Sequence, residues 1–284
     1  GSLGGGSGGC DDVHIVIRKY LALPQVAMKH KGIIGAVCFA AACPNTTNDP
    51  VIIKEVILML DMVLKNCDGK LDWYSSSNQG SYSSVRTLGI SAMSVFFDEL
   101  CLALKGKSLP PFVKNWIKDR FASRLEDYYL ADLLTDEGNS GSMKQSSQNE
   151  LNLIIDETDK ALMNGTSKNH RAPLGDLRYN FDKEDCTVYL RLLSLYISED
   201  QFKREILPQQ LCPLLRLLAA CYDERFGGEG LSEIDALIGC PILLPNESST
   251  GIDFVDLSEE QKWTATACIF TSVNWCRELI NCFV

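Results

Sequence analysis

Pro24-Gln25-Val26-Ala27-Met28-Lys29-His30-Lys31-Gly32-Ile33-Ile34-Gly35-Ala36-Val37 is an apolar run carrying a short basic turn, and its reading decides the fold. At about 100° per residue, Lys29 shares one helical stripe with Ala22, Val26, Ile33, Ala36 and Ala40, while Lys31 points roughly the other way. A helix of this kind is built to be packed. A lysine on its apolar stripe is costly to bury alone. Such a side chain ordinarily snorkels to the rim of a contact, or it serves as a nucleophile or charge partner.

Outward from this helix the same 3.6-residue period recurs. Asp11 to Leu23 carries Val13, Ile15, Val16, Ile17, Tyr20 and Leu21, and Pro24 suits the opening of the next helix, to about Ala42. Asp49-Pro50 opens a third, with Val56, Leu60 and Val63 on its stripe. Residues 85–104 and then Pro110-Pro111 to about Leu134 predict two more. Cys186 to Ile197 is short and apolar, Gln209 to Phe226 predicts a strong helix, and a long last one runs from Ser258 to the final residues. Pro213 is tolerable only near a helix's first turn. Polar, Gly/Ser-rich stretches separate these elements at 75–84 and 135–149, with a moderate helix at 150–163. With no βαβ alternation, the expectation is an all-α fold, either successive antiparallel pairs stacked as an α-solenoid or an irregular helical bundle. The expected division is a Gly/Ser segment at 1–9, an N-terminal helical region at 10–134, a polar loop region at 135–183 and a C-terminal helical region at 184–284.

Composition narrows the function. There are 284 residues, 45% hydrophobic, with a formal net charge of −10. That charge argues against a protein coating nucleic acid over its whole surface, while leaving room for a local basic face. Lys105, Lys107, Lys114, Lys118, Arg120 and Arg124 form one candidate face, with Lys107, Lys114, Lys118, Arg120 and Arg124 the candidate phosphate contacts; a solvated helix face is the ordinary alternative. Residues 223–260 are the opposite, ten acids to one base, Arg225. The 12 cysteines and three histidines show no zinc spacing, and scattered core thiols are the simplest reading. No phosphate loop, no G-x-S-x-G elbow and no cofactor motif is present. Gly227-Gly228-Glu229-Gly230 is acidic and follows a helix. Cys10 with His14 and Cys38 with His30 are weak nucleophile pairs, so an enzyme is not expected. No apolar run reaches the 18 or so residues of a membrane span.

Three blocks carry a resemblance: Val16-Ile17-Arg18-Lys19 through Gly32-Ile33-Ile34-Gly35-Ala36-Val37; Leu231 to Leu244; and Ile269-Phe270 through Asn274-Trp275-Cys276-Arg277-Glu278-Leu279-Ile280-Asn281. Their order and separation resemble the Fanconi anaemia group D2 family, and the resemblance makes the chain an internal piece of a longer D2-like protein. It implies HEAT-type helical repeats and a nuclear, non-enzymatic scaffold of DNA interstrand-crosslink repair. It also implies pairing with the group I paralogue, attachment of ubiquitin to one lysine by a dedicated ubiquitin ligase and conjugating enzyme, and clamping of duplex or branched DNA by the modified pair. Carried over without a gap from Arg18-Lys19 to Gly32, the ubiquitin acceptor falls on Lys29, with Lys31 as the fallback. Residues 44–230 agree only in character, so no DNA contact is carried over. The competing reading is a generic helical-repeat adaptor in which Lys29 is purely structural.

Overall fold

In the computed structural model, the residues described are 8–67, 91–106, 108–132, 175–178, 188–198, 200–245 and 259–283. They are mostly helical: α1 (Gly8–Ala22), α2 (Val26–Ala41), α3 (Pro50–Cys67), α4 (Ala92–Lys105), α5 (Pro111–Tyr129), the short α6 (Leu192–Tyr196) and α7 (Gln201–Glu205), α8 (Leu207–Tyr222), α9 (Ser232–Asp235) and the long α10 (Glu259–Phe283). The expected loops at 75–84 and 135–149 and the helix at 150–163 lie outside the described residues.

The chain forms two compact units, one of residues 1–122 and 212–230, the other of residues 123–211 and 231–284. The first unit takes the start of α5 and the end of α8.

Within the first unit, α2 packs against α1, α3 and α4. Its Ile33, Ala36 and Ala40 are fully buried, as their shared stripe requires. Gly32 and Gly35 set the closeness of α1. A Cβ on Gly32 would lie 2.8 Å from Leu21 Cγ and 2.9 Å from the Leu21 backbone nitrogen, and one on Gly35 would lie 3.1 Å from Ile17 Cγ1. Phe96 and Phe97 of α4 meet Trp116 and Phe121 of α5 edge to face, with Phe97 and Phe121 centroids 5.0 Å apart. Asp98 of α4 takes the Arg216 guanidinium of α8 at 2.7 Å.

The end of α8 is closed by a glycine turn. Asp223 caps a single 3₁₀ turn (Glu224–Phe226) by accepting from the Arg225 amide, and Gly227 then adopts φ +77°. Gly228 donates to Asp223 O and Gly230 to Tyr222 O. A Cβ on Gly228 would stand 2.2 Å from the Tyr222 carbonyl, so only glycine fits there. In α8, Pro213 lies deeper than a first turn because the helix starts at Leu207 rather than near Gln209, so one internal hydrogen bond is forgone.

The second unit contains what periodicity did not announce, a four-stranded sheet in the order β1-β3-β4-β2. Strand β1 (Leu130–Asp132) is antiparallel to β3 (Val188–Leu190), with Leu130 opposite Leu190. Strand β2 (Gly175–Arg178) is antiparallel to β4 (Ile242–Pro245), with Asp176 opposite Leu244. Strands β3 and β4 run parallel through Leu190 and Ile242. The end of the helix expected to reach Leu134 is thus taken over by β1, since α5 stops at Tyr129. Helix α10 packs on α6 and β4, fully burying Trp275 and Cys268. Tyr196 and Thr271 hydroxyls meet at 2.6 Å, and the Tyr196 and Trp263 rings stack edge to face at 5.9 Å.

Candidate functional site

Helix α2 starts after the Leu23-Pro24 break, with Gln25 at its N-cap in extended conformation. Lys29 therefore occupies the first turn or so of α2, where the helix dipole presents positive charge and an ammonium is unwelcome. Its side chain is redirected: only 4% of the residue is exposed, and Nζ donates to the backbone oxygen of Asn66 at 2.9 Å. Asn66 belongs to the last turn of α3, which ends at Cys67, so its carbonyl is one of the four the helix leaves without an internal partner. An ammonium at that negative end is favourable twice over, as hydrogen-bond donor and as charge. The Asn66 side chain turns back to donate to Met62 O at 2.8 Å.

Lys31, two residues on, is exposed, as its opposite direction on the helix requires. His30 lies between, with its Nε2 buried and without a hydrogen-bond partner. His14 of α1 stacks edge-on against Phe39 of α2 at 4.6 Å. Val13, Val16, Val26 and Ile34 leave apolar surface exposed on these two helices.

The candidate phosphate contacts on α5 are distributed differently. Lys107 lies outside the described residues. Lys114 donates to the carbonyls of Phe226 and Gly227, the latter at 3.1 Å. The glycine turn thus offers carbonyl oxygens to a lysine, the reverse of a loop that offers amides to a phosphate. Lys118 reaches Glu229 at 3.3 Å and lies 4.9 Å above the Tyr222 ring. Arg120 approaches Asp61 at 3.4 Å, and Asp61 also accepts from Trp116 Nε1. Arg124 is 8% exposed, donates to Gln210 Oε1 at 2.9 Å and stacks over Tyr128. Every described member of the set has an intramolecular partner, and Trp116 belongs to the aromatic core.

Burial pushes the Cys221 thiol up to about 12, with Lys114 and Lys118 pulling weakly the other way. Burial also pushes Cys268 up to about 12. Neither supplies a thiolate at neutral pH. Among the described residues, no group of three or more His, Cys, Asp or Glu side chains is placed to hold a metal ion, and no helix is long and apolar enough to cross a membrane.

Sequence reasoning placed Lys29 on the packed stripe of α2 and Lys31 on the opposite side, and the structure buries the first and exposes the second. It missed Asn66, whose contribution is a backbone carbonyl with no residue-type signature. It also missed the close approach at Gly32 and Gly35, for which the i, i+3 spacing of two glycines on an apolar helix was the available signal.

The described residues are mostly helical, with their distinctive chemistry at a buried amine and at capped helix ends. A family model described as "Fanconi anaemia protein FancD2 nuclease" matches residues 4–284, and the chain belongs to that family. It is 26% identical over 281 residues to the Fanconi anemia group D2 protein of Gallus gallus, covering 96% of this chain and 17% of that protein. It is 22% identical over 299 residues to the group D2 homolog of Rattus norvegicus, with coverage of 96% and 17%, and 23% identical over 284 residues to that of Drosophila melanogaster, with coverage of 96% and 18%. The chain thus spans less than a fifth of the length of these relatives.

Proposed function

We propose that this chain is the acceptor-bearing segment of a nuclear, non-enzymatic scaffold of DNA interstrand-crosslink repair in the Fanconi anaemia pathway. It is conjugated to ubiquitin on Lys29, with Lys31 the fallback, by the pathway's ubiquitin ligase and conjugating enzyme. In the full-length protein it acts with the group I paralogue as a clamp on duplex DNA, and its helix pairs form part of a solenoid. The observation that carries this reading is the family match over residues 4–284. The exposed apolar residues Val13, Val16, Val26 and Ile34 around the acceptor helix support a paired surface there. The proposal assigns no phosphate contact to Lys114 or Arg124, whose donors are engaged within the chain.

The test is a reconstituted conjugation reaction with the paralogue and duplex DNA, followed by mass-spectrometric mapping of the ubiquitin remnant. Lys29→Arg keeps a positive charge and abolishes modification if Lys29 is the acceptor. Undiminished single ubiquitination of Lys29→Arg, with the remnant away from Lys31, overturns the assignment.

One observation favours the adaptor reading, in which Lys29 is purely structural: the amine is buried and caps α3. Under that reading the paralogue is not retained in a pull-down and no lysine of α2 is modified.

A further inference from the structure

We infer that the last turn of α3 is a gate on the Lys29 amine: capping of the Asn66 carbonyl by Lys29 and conjugation of Lys29 are mutually exclusive states. The inference rests on Lys29 being the acceptor, and it adds how that acceptor is regulated.

The Lys29 residue is 4% exposed and its Nζ lies 2.9 Å from Asn66 O, so no space remains beside the nitrogen for an acyl group carrying a protein chain. The neighbours cannot simply swing aside. Lys29 lies on the same stripe as Ile33, Ala36 and Ala40, all fully buried, and α2 is packed by α1, α3 and α4. The yielding element is the end of α3: the last turn of a helix is where its own hydrogen-bond ladder runs out, and local opening there is the least costly.

The chemical argument points the same way. In conjugation the amine attacks a thioester carbonyl. A C–N bond forms as the C–S bond breaks, the leaving thiol keeps one of the ammonium's protons and the other passes to solvent. The product nitrogen is neutral. It no longer brings positive charge to the negative end of α3, so the cap loses its electrostatic part even if the amide N–H could reach the carbonyl. Opening thus precedes attack, and attack removes what would close the gate again.

Whatever draws the end of α3 away raises the fraction of chains in the open, reactive state, and conjugation removes the cap that would close it. Exposed Lys31 provides an internal standard, since it carries the same chemistry two residues away without the gate.

The experiment uses the whole 284-residue chain. The probe is an N-hydroxysuccinimide ester of acetate, with acetylation of each lysine followed by mass spectrometry. In the unaltered chain Lys29 is expected to be acetylated at least about tenfold more slowly than Lys31, because only the opened state reacts. Asn66→Pro removes the amide donated to Met62 and crowds that carbonyl, unwinding the last turn; it should speed Lys29 at least about fivefold and leave Lys31 unchanged. Asn66→Ala keeps the turn and its carbonyl, and should shift Lys29 by less than about twofold. Should Asn66→Pro lose its helical circular dichroism, amide exchange decides instead: residues 64–67 should exchange faster once Lys29 is conjugated than before. Equal acetylation of Lys29 and Lys31 in the folded unaltered chain, or unchanged exchange at 64–67, overturns the gate. A shielded Lys29 that Asn66→Pro releases, but that the ligase never modifies, leaves the gate standing and refutes the acceptor reading.

Discussion

The two units solve the same packing problem by different means. In the first, helices approach until backbone meets side chain: Gly32 against Leu21, Gly35 against Ile17, and Gly228 against the Tyr222 carbonyl. Helix ends are then closed from other elements, Lys29 on α3 and Lys114 on the turn after α8. In the second, strands of three or four residues are assembled into one sheet by partners distant in sequence, and a single long helix, α10, packs on β4 and α6, with Trp263 and Thr271 meeting Tyr196 and Trp275 fully buried. The first unit adds small residues at fixed points to its aromatic core, whereas the second relies on large residues filling space. Substitutions should separate these two dependences.

The largest effect is expected in the second unit. Trp275 is fully buried, and Trp275→Ala should cost about 4 kcal/mol by removing an indole from a core that cannot collapse around the gap. Trp275→Phe should cost clearly less, because the indole Nε1 is buried with no hydrogen-bond partner and its loss forfeits nothing polar. Urea unfolding followed by circular dichroism measures both. Equal losses would show that the ring's shape, rather than its bulk, holds α10 in place.

In the first unit the counterpart is addition. Gly32→Ala inserts a methyl 2.9 Å from the Leu21 backbone nitrogen and should cost about 2 kcal/mol, whereas alanine is normally the better helix residue. A stabilised Gly32→Ala protein would mean that α1 yields freely and that the close approach is not what fixes it.

Much of the first unit was legible in the sequence, because its information is periodic and local. The stripe predicted the burial of Lys29, Ile33, Ala36 and Ala40, although its first members, Ala22 and Val26, are exposed, and Asp49-Pro50 predicted where α3 opens. The sheet was not legible. Val188 to Leu190 and Ile242 to Pro245 are too short for alternation to register, and each becomes a strand because partners distant in sequence, β1 and β2, lie beside it. The apolar run from Cys186 to Ile197 was seen, but periodicity alone does not distinguish a strand followed by one helical turn from a short helix. For the site, the amine could be read from the residue type and its acceptor could not.

The alkaline limb of stability reports on a buried thiol from each unit. Cys221 and Cys268 each titrate near 12 when folded, against an ordinary value of 9.0. Above pH 9 the unfolded chain has lost protons that the folded chain keeps, so stability is fully present below that pH and falls as pH rises toward 12. The slope should be about 1.4 kcal/mol per pH unit for each thiol. Cys221→Ala and Cys268→Ala should each halve that part of the slope in urea titrations between pH 9 and 10.5. An unchanged slope in either variant would remove its thiol from the account.

Lys29→Met isolates the cap within the first unit. Methionine retains most of the apolar stem and removes the charge and donor, leaving the Asn66 carbonyl without that bond, so about 1 kcal/mol of stability should be lost. Lys29→Arg should recover part of it, since a guanidinium also donates to a carbonyl. A neutral Lys29→Met would mean that solvent caps α3 equally well, and the gate would then have little holding it shut.

The smallest effect is expected at Arg120, and it bears on nucleic acid. Its side chain is 54% exposed and its pair with Asp61 is long, so Arg120→Ala should change stability by less than about 0.5 kcal/mol. That mildness makes it the cleanest probe of α5 as a phosphate-binding surface. Lys114 and Lys118 are tied to the turn at 226–229, and substituting them would confound folding with binding. If, as the proposed function would allow, Arg120 reaches a phosphate in the full-length protein, Arg120→Ala should lower the dependence of log affinity on log salt by about one unit of slope, for every DNA sequence alike. With the stability unchanged, an unaltered slope would remove α5 from the proposed DNA contact, and the bases of α5 would then be read, like Lys114, as partners of the chain's own acids and carbonyls.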